Sequence, residues 1–297
     1  MKSNIGEFAA LGTALCWSCG SIFFTIASRL IGSNEVNRLR LTLALFLLMI
    51  TNFITFGEFL PIDASGIHWF WFGVSGVIGF TIGDSLLFRA FVLIGPRLTM
   101  LMMSLAPIFG TIIAWFFLSE ILSLSKILAI AITLLGISWV ILERKNDDHK
   151  GAHYFNGVLY GLGAAFCQAL GLYLSKKGLV DNFSALSGNL IRIFIATIAI
   201  WLFAGLQGEA SETVKKIGNK TARWTIVGGA FLGPFLGVFL SLVAIQHAYI
   251  GIASTLMALP PIILIPLSHW IFEEKVTMRA ILGTIIAIFG VALIFIF

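Results

Sequence analysis

Charged residues are scarce in this sequence. Asp, Glu, Lys and Arg together supply 11% of 297 residues, where a soluble domain carries about a quarter. With 59% hydrophobic residues and a mean hydropathy of +1.00, the chain holds more apolar surface than one water-facing core could hide. Its solvent is lipid. The net charge of +5 does not indicate a nucleic acid partner, because the basic residues sit in short loops between apolar runs rather than on one polar face.

Cysteine is also scarce. Cys16, Cys19 and Cys167 all lie inside apolar runs, which excludes a disulfide framework. Cys16 and Cys19 share a helix face but lack a third ligand, so they read as small hydrophobes; no metal site and no cofactor are expected. The run after Lys2 lacks a convincing cleavage site and reads as a retained first span. Acidic residues within spans are rarer still. "IGD" (82–84) suggests an intramembrane aspartyl protease, but that chemistry needs two aspartates and Asp84 alone lies clearly within a span. "GVSG" (73–76) fits the G-x-S-G of rhomboid-type serine proteases, yet Ser75 already belongs to a stripe of small residues. No enzyme is expected.

What the chain has is apolar runs of spanning length. Ten occur, at roughly 7–29, 36–57, 67–93, 96–119, 123–142, 154–176, 184–206, 222–245, 250–272 and 277–297, numbered spans 1 to 10 in chain order. The longest polar breaks are 143–156 and 207–223. The predicted fold class is an all-α polytopic membrane protein of ten transmembrane helices.

The runs repeat. Pro107 and Pro261, Glu120 and Glu274, Gly79 and Gly233, Gly83 and Gly237, and Gly136 and Gly290 are each 154 residues apart. At an offset of 151, "GTALCWSCG" (12–20) aligns with "GAAFCQALG" (163–171), placing Trp17 opposite Gln168; Arg40 and Arg192 correspond at an offset of 152. The chain therefore divides into a first five-helix repeat (1–142), a polar linker (143–153) and a second five-helix repeat (154–297). An odd number of spans makes the second copy enter the membrane from the other side. The repeat is predicted to be inverted, as in many secondary transporters, whose site lies at the repeat interface.

The residues "RLTLALFLL" (40–48), "GPRLTMLMMSLAPIFGTIIAWFFLSEILS" (95–123), its counterpart "GIASTLMALPPIILIPLSHWIFEEKVT" (251–277) and the closing helices around Gly136 and Gly290 resemble an EamA-type member of the drug/metabolite transporter superfamily. The resemblance covers nearly the whole chain. It implies a cell-membrane carrier that exports or imports a small metabolite such as an amino acid; a passive channel is the alternative. It also implies both termini in the cytoplasm, whereas the distribution of Lys and Arg favours the N-terminus outside.

Candidate pathway residues emerge from cost. A proline within a span frees the carbonyl four residues earlier, so Pro107 and Pro261 are predicted to free Met103 and Met257 and to place spans 4 and 9 on the path, with spans 5 and 10 at the periphery. Asp84 and Arg89 in span 3 are costly in lipid and are candidates for substrate or a coupling proton. Trp17, Gln168, Asn189 and His269 are further candidates, with His269 expected deep in its span. Arg40 and Arg192 are expected toward opposite faces, one at each mouth. Glu120 with Ser123, and Glu274 with Thr277, read as structural ties at tight turns, the hydroxyls capping the next helix.

Overall fold

The computed structural model describes residues 5–118, 123–144, 151–180, 183–247 and 256–296. Among the described residues there are helices and no strand. In chain order they are α1 (Ile5–Ile31), α2 (Ser33–Phe56), α3 (Gly66–Gly76), a π-helical stretch π1 (Val77–Gly83), α4 (Asp84–Met103), α5 (Ala106–Leu118), α6 (Leu124–Arg144), α7 (Gly151–Gly178), α8 (Ala185–Leu206), the short α9 (Ala210–Lys216), α10 (Lys220–Ala230), a second π-helical stretch π2 (Phe231–Gly237), α11 (Val238–His247), α12 (Pro260–Phe272) and α13 (Met278–Ile296). Among the described residues six helical rods are long and apolar enough to cross a bilayer, and Ile127–Val140, Pro260–Phe272 and Met278–Leu293 are shorter apolar helices. Large apolar side chains such as Phe8, Ile54, Phe116 and Trp270 are 72%, 78%, 71% and 80% exposed, a surface that lipid covers and water would not tolerate. The chain is a multi-pass membrane protein.

Local chemistry sets the joints. Gly32, at φ 106°, divides α1 from α2, and Gly57, at φ 79°, ends α2 with its N–H donating to Phe53 O. Asn219 Oδ1 accepts from Ala222 N at 3.0 Å and Thr277 Oγ1 from Ala280 N at 3.1 Å, capping α10 and α13. Gly95 interrupts α4 with φ 78° and ψ 165°. The boundary between spans 3 and 4 therefore falls at this kink, and Pro96 restarts the helix.

The prolines correct the sequence reading. Pro107 and Pro261 are each the second residue of their helix, α5 and α12, not mid-helix interruptions. The chain turns at Ser104–Leu105 and again at Ala258–Leu259, and each proline opens the next helix. Its missing N–H costs nothing there, because first-turn N–H groups have no intrahelical partner. Each of these crossings is thus broken rather than kinked, and at equivalent positions of the repeat.

Packing is set by the small residues, and the pairing crosses the midpoint of the sequence. α1 packs on α10, π2 and α11; α7 packs on α3, π1 and α4; α2 packs on α8; and α6 packs on α13. A methyl group placed on Gly20 would lie 3.6 Å from Gly233 N, and one on Gly171 would lie 3.3 Å from Gly79 Cα. The same contact is made twice, with the halves exchanged. Gly12 against Leu240 and Gly163 against Leu86 repeat it at 3.2 and 3.0 Å. α6 and α13 meet as closely: a methyl on Gly136 would lie 2.5 Å from Ala287 N, and one on Gly290 would lie 2.6 Å from Thr133 N. Lipid supplies no hydrophobic drive between helices, so such backbone approach supplies the attraction.

Candidate functional site

The site is built around π1. A π-helical stretch accommodates one more residue per turn and shifts the backbone hydrogen bonds. Here it runs from Val77 to Gly83, and π2 runs from Phe231 to Gly237, an offset of 154 again. Side chains from a neighbouring helix reach the disturbed backbone. Asn37 on α2 donates from Nδ2 to Phe80 O at 3.0 Å and to Ser85 Oγ at 3.0 Å; Ser85 Oγ donates onward to Thr81 O at 2.6 Å. Thr81 Oγ1 donates to Ala196 O of α8 at 3.1 Å.

Asp84 is the first residue after π1. It forms a buried ion pair with Arg40, and Arg40 Nε donates to Asn37 Oδ1 at 3.1 Å. The Arg40 guanidinium also lies over the Phe88 ring at 4.9 Å and the Phe24 ring at 5.5 Å, where the faces of the rings favour a cation. Arg40 is thereby fully engaged by Asn37, Asp84 and two aromatic rings.

Arg192 approaches the same stretch from α8. Gly76 has no side chain, and that absence lets the helices cross: a Cβ there would fall 2.1 Å from Arg192 O. The Arg192 guanidinium lies 4.6 Å from the centre of the Phe80 ring, with a terminal nitrogen 3.4 Å from where a Cβ on Gly79 would stand. Arg192 is 9% exposed and Asn189, one turn earlier, is 6% exposed. Among the described residues, neither Arg192 Nε nor Asn189 Oδ1 has a hydrogen-bond partner. The expectation that the two arginines stand apart, one at each mouth, is corrected: both converge on the residues from Gly79 to Asp84. An arginine side chain is long enough to leave its own helix end and reach the middle of a neighbour.

The other candidates separate into those near this centre and those away from it. Trp17 packs at the end of π2, its Nε1 2.7 Å from where a Cβ on Gly237 would stand; at the matching place on π1, Cys167 Cβ lies 2.9 Å from that point on Gly83. Gln168, next to Cys167, is half-buried. Met103 and Met257 are half-buried beside the two helix breaks, Met103 against the core that includes Tyr154, Val158 and Ala165, and Met257 against Ala9, Ala10 and Ala244. Arg89 does not join Asp84: it is exposed, with its guanidinium over Tyr160 at 5.8 Å. His269 is exposed, not deep, with Nδ1 3.0 Å from Glu274 O.

Of the turn ties, Glu120 lies outside the described residues. Ser123 stands just before α6, its carbonyl accepting from Ile127 N at 3.1 Å. Thr277 caps as expected, but Glu274 does more than hold its own turn. Its carboxylate faces Arg97 Nε at 3.5 Å, and its Oε1 lies 2.3 Å from where a Cβ on Gly95 would stand. It therefore binds the end of α12 to the break in α4, in the other half of the chain.

Sequence reasoning missed Asn37, Phe24, Phe80 and Phe88. Nothing marks an aromatic residue as a cation's neighbour in a chain with 27 phenylalanines. Asn37, a polar residue three positions before Arg40, was the available signal.

The model of the EamA-like transporter family matches the chain twice, at residues 4–142 and 155–296. The chain belongs to that family. With it the chain joins the drug/metabolite transporter superfamily. A solved crystal structure of another protein matches this EamA-like chain with a TM-score of 0.65 at 14% identity, covering 97% of this chain and 95% of that one; the likeness is one of fold. Comparison with curated proteins gave no match.

Proposed function

We propose that this chain is a secondary transporter of the cell membrane that moves a small metabolite, such as an amino acid, by alternating access. In this reading residues 1–142 and 154–297 are inverted five-helix halves joined by 143–153, and in the count of ten crossings α3, π1 and α4 up to Gly95 form span 3 while the rest of α4 and α5 form span 4. The observation that carries the reading is the doubled seam: Gly20 on Gly233 and Gly171 on Gly79. Each half lends its first helix to the third helix of the other. A centre built in this way can lose one set of contacts and gain its mirror set at little net cost, which is what alternating access requires.

The test is counterflow. Purified protein is reconstituted into liposomes loaded with one unlabelled amino acid at millimolar concentration, with the same labelled amino acid outside, and the common amino acids are taken in turn. The reading expects saturable uptake of at least one, accelerated by the internal load. Flux that neither saturates nor responds to the internal load would replace the carrier with a channel. Imposing a proton gradient on the same vesicles shows whether a proton is coupled.

A further inference from the structure

We propose that Arg192 is the anchor for a carboxylate on the transported solute, an assignment that rests on the transporter reading. Three buried ionisable side chains meet along Gly79–Asp84: Arg40, Asp84 and Arg192. Arg40 and Asp84 form an ion pair, and Arg40 is further held by Asn37, Phe24 and Phe88. Among the described residues no carboxylate lies within 4 Å of Arg192; Asp84 is near enough for its charge to act on it, but that single acid is already paired with Arg40. The cluster therefore carries one uncompensated positive charge.

A guanidinium does not lose its proton to escape burial. A buried charge left without a partner is costly, and inside a membrane such a residue marks a pathway. The Phe80 face at 4.6 Å offsets a small part of that cost, and Nε remains without a partner. The repeat sharpens the point. Arg40 and Arg192 are counterparts, but the counterpart of Asp84 is Val238. The first half supplies its own acid and the second does not. A single carboxylate completes the second half, accepting two parallel N–H bonds from the planar fork and bringing the cluster to neutrality. Gly79 puts no side chain against the guanidinium, whose terminal nitrogen lies 3.4 Å from where a Cβ would stand, and Asn189 presents a second group with an unfilled acceptor one turn away on α8. A cationic solute would meet net positive charge here and be repelled.

The test measures thermal stabilisation of the detergent-solubilised chain by the common L-amino acids and short-chain monocarboxylates, each beside its carboxamide. At least one carboxylate should raise the melting temperature while its carboxamide does not. R192Q should lose that stabilisation while melting as a folded protein on its own. R192K, which keeps the charge but not the fork, should bind roughly tenfold more weakly, and it carries the test if R192Q fails to fold. Equal stabilisation by carboxamides, no stabilisation by any carboxylate, or undiminished carboxylate binding in both variants overturns the assignment. Carboxylate binding through Arg192 without counterflow would keep the site and remove the transporter reading. Counterflow at wild-type affinity in R192Q would do the reverse.

Discussion

Asp84 and Arg40 hold each other in a place neither could occupy alone. Removing one partner of a buried pair leaves the other charge stranded, at a cost of about 3–5 kcal/mol, whereas replacing both with apolar groups costs much less. D84A should therefore lower the melting temperature more than the double change Arg40→Met with Asp84→Leu. A double variant whose loss equals the sum of the Arg40→Met and Asp84→Leu single losses, read as a double-mutant cycle, would show that the pair is not coupled. The glycines make a second residue-scale comparison. A methyl on Gly136 would meet Ala287 N at 2.5 Å, while one on Gly110 meets nothing within 4 Å. G136A should destabilise by roughly 1–3 kcal/mol through overpacking, and G110A should be neutral or stabilise by up to about 1 kcal/mol from helix propensity. Thermal melting of the two variants side by side checks this. The repeat sets Gly136 apart, with Gly290 as its counterpart where Gly110 has Leu264, and the neighbouring helix shows why. The same holds for Arg89, which shares span 3 with Asp84 but lies on another face, over Tyr160.

At the scale of elements, the helices were legible and the π-helical stretches were not. Apolar runs of spanning length and the joint at Gly95 arise from composition and glycine chemistry. The π stretches do not, because Ser75, Gly79 and Gly83 recur every fourth residue, which suits an ordinary α-helix equally well. The prolines misled for a related reason: composition shows that Pro107 lies within an apolar run, not that the helix stops at Met103 and starts again at Ala106. If π1 serves to aim Asp84, its extra residue is essential. Deleting the exposed Ile82 should let the rod run as a plain α-helix, turning α4 by about 100° and withdrawing Asp84 from Arg40. Circular dichroism should show helix content preserved while the melting temperature falls and counterflow is lost. A deletion variant with wild-type stability and transport would show that the π geometry has no part in the site.

For the whole molecule, the two halves are alike in path but not in charge. The glycine seams have partners under exchange of the halves, down to Gly12 on Leu240 and Gly163 on Leu86, yet Arg40 has its acid and Arg192 does not. The family and the repeat were readable because offsets survive in glycine, proline and arginine, whose physical roles are hard to replace. The convergence of the two arginines was not readable, since it depends on how α2 and α8 cross the rod at π1. What the account requires above all is that the halves be inverted, for only then can one shared centre face each side in turn. Asp63, between spans 2 and 3, and Lys215, between spans 7 and 8, are both exposed and occupy matching connections. Single cysteines at these positions, in a chain whose Cys16, Cys19 and Cys167 are replaced by alanine, can be labelled with a membrane-impermeant maleimide in intact cells and in inverted vesicles. The account predicts that one labels only in cells and the other only in vesicles, which also fixes the side of the N-terminus; labelling of both from the same side would contradict it.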